Sequence, residues 1–87
     1  MLSSRLFYED IVTVRIGKKG LTSNILEEIK RSLKAHGVVK IKLLRSFRES
    51  QKPDRHLFAK ELAERVNADL VGIRGYTFIL RERRKEK

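Results

Sequence analysis

The 87-residue sequence predicts an α/β domain, a two-layer sandwich in which two helices cover one face of a mixed four-stranded sheet. Short runs of β-branched residues alternate with a period of two, as strands do. The segments between them repeat apolar residues every four positions, as helices do. The elements follow the order β-α-β-α-β-β, and right-handed crossovers then place both helices on the same face of the sheet.

The first strand and the first helix adjoin each other in the sequence. Residues 11–16, Ile-Val-Thr-Val-Arg-Ile, are mostly β-branched and are followed by a glycine, which predicts a strand. Thr22 is a favourable N-cap for the helix that follows, Asn24 with Glu27 would form a capping pair if the helix began later, and Gly37 is a favourable C-terminal stop. The apolar stripe of this helix consists of Leu21, Ile25, Ile29 and Leu33.

The middle of the sequence predicts a second strand and a second helix. Residues 38–44 alternate again, with lysines between apolar residues. Residues 45–53 are polar, lack a period and contain the only proline, so we predict a loop there. Asp54 can cap the second helix, which is predicted to end near Asn67.

Two short strands complete the predicted sheet. They cover residues 70–73 and 76–80, and the Arg74-Gly75 pair between them predicts a hairpin turn. The predicted organisation is therefore a short N-terminal segment over 1–10, one domain over 11–81 and a charged tail over 82–87.

The net charge of +10 indicates a polyanionic partner, which for a small domain with a pI near 10.4 is most often nucleic acid. The excess of positive charge is uneven, because residues 38–56 carry six basic and two acidic side chains whereas residues 57–80 carry three of each.

The absence of cysteine excludes disulfides and thiolate metal ligands. No apolar run is long enough for a signal peptide or a membrane span, so we expect a cytoplasmic protein. A charged fraction of 37% with only three Asn and Gln residues is typical of a thermophilic or archaeal source.

The segment Gly17-Lys18-Lys19-Gly20 lies where the first predicted strand leads into the first helix. Glycines let a backbone approach a sugar-phosphate chain, the helix beginning near Thr22 offers free N–H groups, and the lysines add charge. GxxG loops clamp nucleotide backbones in some RNA-binding domains, whereas a P-loop needs the GxxxxGK[ST] spacing that this chain lacks. The alternative is a tight turn that needs a positive φ and carries two solvated lysines.

Basic side chains elsewhere extend this candidate site. Two lysines of the second strand form a basic strip with an arginine of the first strand if that face of the sheet is uncovered; a solvated face is the alternative. Phe47 lies among basic residues of the predicted loop and of the start of the second helix, and its ring either stacks on a base or packs against the core. These basic residues are Arg45, Arg48, Lys52 and Arg55. The predicted site includes Arg15, Lys40, Lys42, Arg45 and Arg48.

The remaining reactive side chains indicate neither catalysis nor metal binding. His36 and His56 lie in different elements and have no Ser, Cys or carboxylate partner at a recognisable spacing. Two histidines without cysteines make a zinc site improbable. Tyr76 and Phe78 share a face of the last predicted strand, where we expect core or edge packing. We therefore predict a non-enzymatic protein without a cofactor or a metal.

Several of these features occur together in one known family. An Ile-Gly-Lys-Lys-Gly-Leu-Thr run at 16–22 precedes an amphipathic helix, a Val-Val-Lys-Ile-Lys-Leu strand, an alanine-bearing helix and a glycine-turn hairpin. Over residues 11–81 this pattern resembles the CRM domain family, which includes the bacterial YhbY proteins and plant chloroplast splicing-factor domains. The family's GxxG loop corresponds to residues 17–20, and its basic second strand carries Lys40 and Lys42 here.

The resemblance implies a fold like the C-terminal domain of translation initiation factor 3 and an RNA partner. That partner would be a precursor of the large ribosomal subunit, with the subunit itself as an associated particle, or another structured RNA such as a group II intron. The chain departs from the family in two places. Only about ten residues stand where the family has a full basic helix before the first strand, and the last strand ends Ile79-Leu80-Arg81 rather than Leu-Tyr-Arg.

A second family gives the alternative function. Alba-type archaeal chromatin proteins, which bind duplex DNA, also carry an Ile-Gly-Lys-Lys run between the first strand and the first helix. They continue with proline where this chain has Gly20, and their hairpin arm is long. The prediction is therefore an RNA-binding protein that assists ribosome assembly or RNA folding by clamping the RNA backbone. The sequence leaves the oligomeric state open.

Overall fold

The computed structural model describes residues 11–83; the predicted N-terminal segment and residues 84–87 of the predicted tail lie outside this range. Seven elements form this range, four strands of a single sheet and three helices. In chain order they are β1 (Thr13–Ile16), α1 (Ser23–His36), β2 (Val38–Leu43), α2 (Arg45–Gln51), α3 (Arg55–Arg65), β3 (Ala68–Arg74) and β4 (Thr77–Glu82).

The sheet has the order β1-β2-β4-β3. Strands β1 and β2 are parallel, as a crossover through α1 requires, and β4 runs antiparallel to both of its neighbours. The predicted class, an α/β sandwich with a mixed four-stranded sheet, is confirmed. The loop end of the sheet is the end where β1 and β2 finish, and the far end is where β2 begins and β4 finishes.

The core lies between the sheet and the two longer helices. Alternate residues of β1, β2 and β4 are buried against the helices, as a sheet covered on one face requires, whereas β3 is mostly half-buried. Ile79 is also fully buried but belongs to the opposite face, where it pairs with Lys40. The main apolar cluster includes Val14, Ile16, Val39, Ile41, Leu43, Phe78 and Leu80 from the sheet, with Ile29, Leu33, Ala59 and Leu62 from the helices.

Helix α1 has the boundaries that the sequence predicts. The Thr22 hydroxyl accepts a hydrogen bond from the Ile25 N–H at 3.2 Å, which satisfies one of the free donors of the first turn. Gly37 ends the helix with φ of 80°, and its N–H donates to the Leu33 carbonyl at 2.7 Å. The predicted Asp54 cap of α3 is confirmed as well, since its carboxylate accepts from the backbone N–H groups of His56 and Leu57.

The predicted loop over residues 45–53 is wrong, because Arg45–Gln51 forms helix α2. This short helix contains one apolar residue, so it shows no periodicity, and tertiary packing stabilises it instead. Phe47 is only 4% exposed, and its ring centroid lies 5.2 Å from that of Phe58. Of the two roles expected for Phe47, packing against the core is therefore the one observed.

The last hairpin is longer than predicted, and its turn is shifted by one residue. Strand β3 begins at Ala68, and Arg74 pairs with Thr77, so the turn consists of Gly75 and Tyr76. Gly75 has φ of 60°, the conformation that a type II′ turn needs at its first central position. Tyr76 therefore lies in the turn and not on the strand face that it was predicted to share with Phe78.

Candidate nucleic-acid interface

The Gly17–Gly20 loop is a closed turn at the end of β1. The Gly20 N–H donates to the Gly17 carbonyl at 2.8 Å, which leaves Lys18 and Lys19 at the two central positions, and both are exposed. Thr22 then caps α1. The structure thus brings the predicted loop residues together beside a helix N-terminus, where the helix dipole favours negative charge.

Both glycines of this loop lie against the start of α2. A Cβ atom added at Gly17 would lie 3.4 Å from the Ser46 hydroxyl oxygen, and one at Gly20 would lie 3.7 Å from a ring carbon of Phe47. Gly20 also has φ of 74°. Proline is confined to φ near −65°, so the loop of this chain could not hold the proline that Alba-type proteins carry at this position. Gly20 therefore does lie in a tight turn with a positive φ, and Lys18 and Lys19 are exposed on it.

A row of basic side chains crosses the sheet face opposite the helices. Arg15 pairs with Lys42 across the parallel strands, Lys42 pairs with Thr77, and Thr77 pairs with Arg74. Residues in register point to the same face, and all three basic side chains are exposed. We call Arg15, Lys42 and Arg74 the sheet-face row. Lys40 lies on the same face but is half-buried, and it precedes Lys42 on β2, so it is further from the Gly17–Gly20 loop.

The two predicted arginines of α2 have different surroundings. Arg45 donates through Nε to Glu49 at 2.8 Å, in an exposed pair one helical turn apart of the kind that contributes little to stability. The guanidinium carbon of Arg48 lies 4.5 Å from the centroid of the Tyr76 ring. Arg45 is thus partly neutralised at the surface, whereas Arg48 stacks on an aromatic ring of the β3–β4 turn.

A second arginine reaches the same ring. The guanidinium carbon of Arg55 lies 5.4 Å from the Tyr76 centroid, within the range of a cation–π contact. The Nε atoms of Arg48 and Arg55 are both buried and make no hydrogen bond. Tyr76 itself is 36% exposed. We call these three residues the Arg–Tyr–Arg cluster.

The sequence showed Arg55 only as one of the basic residues around the start of the second helix, without a place in the predicted site, and it gave no binding role to Arg74 or Tyr76. Arg74 enters the sheet-face row through the pairing of β3 with β4, and pairing register is not readable from one sequence. The cluster joins α2, the first residue of α3 and a turn, which are distant in sequence. The only available signal was compositional, because residues 38–56 carry the densest positive charge of the chain up to residue 80.

At the far end of the sheet, Arg83 is held by a network of acceptors. Its Nε donates to Asp69 at 3.1 Å, and one terminal nitrogen contacts Glu64 at 3.4 Å. The same terminal nitrogen donates to the Ala68 carbonyl at 2.8 Å, and the other donates to Asn67 at 3.2 Å. The hydrogen bond to Asp69 raises the pKa of Arg83 above its usual value. This arginine ties the end of β4 to the start of β3.

Residues 11–83 contain no cluster of three or more His, Cys, Asp or Glu side chains that could hold a metal ion. His36 ends α1, and His56 lies in the first turn of α3; both are exposed. No helix in the same range is long and apolar enough to cross a membrane.

Comparisons with known proteins give a family for most of the chain and a similar fold. A family model of the CRS1 / YhbY (CRM) domain matches residues 9–81. Among solved structures, the chain is similar to a hypothetical protein from Staphylococcus aureus that is described as a candidate RNA-binding protein. The two have 22% sequence identity and a TM-score of 0.65, and the match covers 98% of this chain and 83% of that one. At this identity the likeness shows a shared fold. No curated protein matches the chain significantly.

Proposed function

Because the chain belongs to the CRS1/YhbY (CRM) domain family, as its sequence pattern predicted, we propose that it binds structured RNA through the sugar-phosphate backbone. The Gly17–Gly20 loop is the proposed centre of the contact. The RNA would be a precursor of the large ribosomal subunit or another folded RNA, and binding would assist its assembly or folding. The description of the Staphylococcus aureus protein accords with this proposal.

The observation that carries the proposal is the placement of Lys18 and Lys19. Both side chains are exposed on a turn whose backbone shape is already fixed, next to the N-terminus of α1. In the proposed complex, backbone N–H groups and the helix dipole hold a phosphate, and the lysines neutralise it and its neighbour. The sheet-face row extends the positive surface along the same end of the molecule.

Salt-dependent binding tests this mechanism. A fluorescein-labelled stem-loop RNA is titrated with the protein at several salt concentrations, and the anisotropy gives the dissociation constant. If about five phosphates are neutralised, log K falls with log[salt] at a slope of roughly −3.5 to −4.5. Lys18→Ala/Lys19→Ala, which keeps both glycines, is expected to make that slope shallower by roughly 1.4 to 1.8.

The matched control is Lys30→Ala/Lys34→Ala, which removes the same charge from exposed positions further along α1. Its slope is expected to stay close to that of the unchanged protein. Equal effects of the two double variants would mean that net charge, and not the loop, determines binding. A wild-type affinity that does not change with salt would reject the electrostatic mechanism altogether.

Two further comparisons identify the nucleic acid. Duplex DNA with the same number of phosphates is expected to bind more weakly than the stem-loop RNA; preference for the duplex would favour a chromatin role instead. Crosslinking in cells followed by sequencing is expected to recover ribosomal precursor RNA. Recovery of transfer RNA or chromosomal DNA alone would contradict the ribosomal role.

A further inference from the structure

We propose that the Arg–Tyr–Arg cluster is a second phosphate-binding site for RNA, separate from the Gly17–Gly20 loop and next to it. This inference rests on the proposed function, because it takes the ligand to be the same RNA. In this site Arg48 and Arg55 contact backbone phosphate, and Tyr76 positions their side chains.

Three elements bring the cluster together at the loop end. Arg48 comes from α2, Arg55 begins α3, and Tyr76 lies in the turn between β3 and β4. Stacking of a guanidinium on an aromatic ring orients its planar fork of donors, and that fork matches the oxygens of a phosphate. The ring therefore holds two arginine side chains in place before a ligand binds.

The charges of the cluster have no counterpart in the part of the chain that the structure describes. Within residues 11–83, neither Arg48 nor Arg55 forms an ion pair, and their buried Nε groups have no acceptor. Since those Nε atoms are inaccessible, the terminal N–H groups remain to meet an external anion. Two like charges on one ring repel each other, and a phosphate between or beside them would remove that repulsion.

The position of the cluster suits an RNA strand that already contacts the loop. The Leu43 N–H donates to the Tyr76 carbonyl at 2.9 Å, and the Leu44 N–H donates to the Ile16 carbonyl at 2.9 Å. The end of β2 therefore lies between Tyr76 and the start of the loop. The separation across it is two strand spacings, about 10 Å. One RNA segment could therefore contact both sites.

Paired variants test the site with the labelled stem-loop RNA. Arg48→Gln/Arg55→Gln is expected to weaken binding by about tenfold or more in low salt and to make the salt slope shallower by roughly 1.4 to 1.8. Arg31→Gln/Arg65→Gln removes the same charge from exposed positions on α1 and α3 and is expected to change affinity by less than about twofold. Circular dichroism checks that both variants fold.

A glutamine variant that fails to fold is replaced by Arg48→Lys/Arg55→Lys, which keeps the charges but loses the planar forks. This variant is expected to retain most of the salt slope and to bind several-fold more weakly, because a lysine cannot make the two parallel hydrogen bonds of an arginine. Full affinity in the lysine variant would reject the arginine-specific site.

Two variants of Tyr76 separate positioning from direct stacking. Tyr76→Phe keeps the ring and is expected to retain affinity, whereas Tyr76→Leu removes the ring and is expected to cost less than the double arginine change. If Tyr76→Leu costs more than Arg48→Gln/Arg55→Gln, a base stacks on the ring and the phosphate assignment is wrong.

Comparison with the Lys18→Ala/Lys19→Ala variant separates a failure of the second site from a failure of RNA binding itself. If Lys18→Ala/Lys19→Ala weakens binding while Arg48→Gln/Arg55→Gln behaves like its control, RNA binding stands and the second site is rejected. If the unchanged protein does not bind the RNA at all, both proposals fail.

Discussion

The two ends of the sheet surround their arginines differently. At the far end, Arg83 contacts the carboxylates of Asp69 and Glu64 and donates to a backbone carbonyl as well. At the loop end, Arg48 and Arg55 contact an aromatic ring, and no carboxylate pairs with either of them in the part of the chain that the structure describes.

This difference separates structural charge from charge available to a ligand. An arginine whose donors are used inside the fold stabilises the connection between two strands and has little left to offer a phosphate. An arginine that stacks on a ring keeps its terminal donors free for an external anion. Charge counting alone would have treated these residues as equivalent.

Removing the aromatic anchor of the loop end is expected to have the largest effect on stability. Phe47 is buried, contacts Phe58 and lies under Gly20, so Phe47→Ala should lower the free energy of unfolding by about 3–5 kcal/mol. Urea unfolding measures this change. Leu57→Ala is the control, because Leu57 is 53% exposed, and it should stay within about 0.5 kcal/mol. A loss below about 1 kcal/mol for Phe47→Ala would mean that α2 is not anchored by its ring.

The two ends of α1 allow a direct comparison of loop shape with stability. Gly20 and Gly37 have φ of 74° and 80°, so an alanine at either position should cost about 1–2 kcal/mol of backbone strain. Gly20→Ala should also weaken RNA binding, because it distorts the loop, whereas Gly37→Ala should not. Urea unfolding and RNA anisotropy measure the two effects. Equal losses of affinity would show that stability, and not loop shape, limits binding.

The smallest expected effect is at the far end. Arg83→Gln removes contacts with Asp69 and Glu64 and should lower the urea midpoint slightly. RNA affinity should change by less than about twofold, since no proposed phosphate contact is lost. An affinity loss as large as that of Arg48→Gln/Arg55→Gln would remove the distinction between the two ends.

Local signals account for the parts of the fold that the sequence predicted. The bounds of helix α1 were predicted correctly because Thr22 and Gly37 cap it through hydrogen bonds with Ile25 and Leu33, which are close to them in sequence. Helix α2 was missed because tertiary packing stabilises it. The Phe47 ring packs against Phe58 of α3 and lies beside the Gly17–Gly20 loop. The end of α2 gave no signal either, since the residue there with a left-handed backbone is Lys52, with φ of 47°, and not a glycine.

The residues of the candidate site also fall into those that a local sequence signal predicted and those that it did not. A contiguous motif and strand alternation were enough to propose Lys18, Lys19, Arg15 and Lys42, and the structure brings the last two into register. Arg74 and Tyr76 could not be proposed, because their positions depend on strand pairing and on a turn shifted by one residue, and Arg55 stood out in the sequence only as one member of a basic segment. Their roles in RNA binding are predictions that the binding experiments with the variants test.

The Gly17–Gly20 turn is closed by its own hydrogen bond and has the Phe47 ring beside Gly20 before any ligand arrives. A flexible loop of four residues that became ordered on binding would lose conformational entropy, at a cost of about 1–2 kcal/mol for each residue fixed. Here that loss occurs during folding, so association immobilises only the lysine side chains. Binding at this turn should therefore proceed without a slow ordering step, and the association rate should be limited by the encounter of protein and RNA.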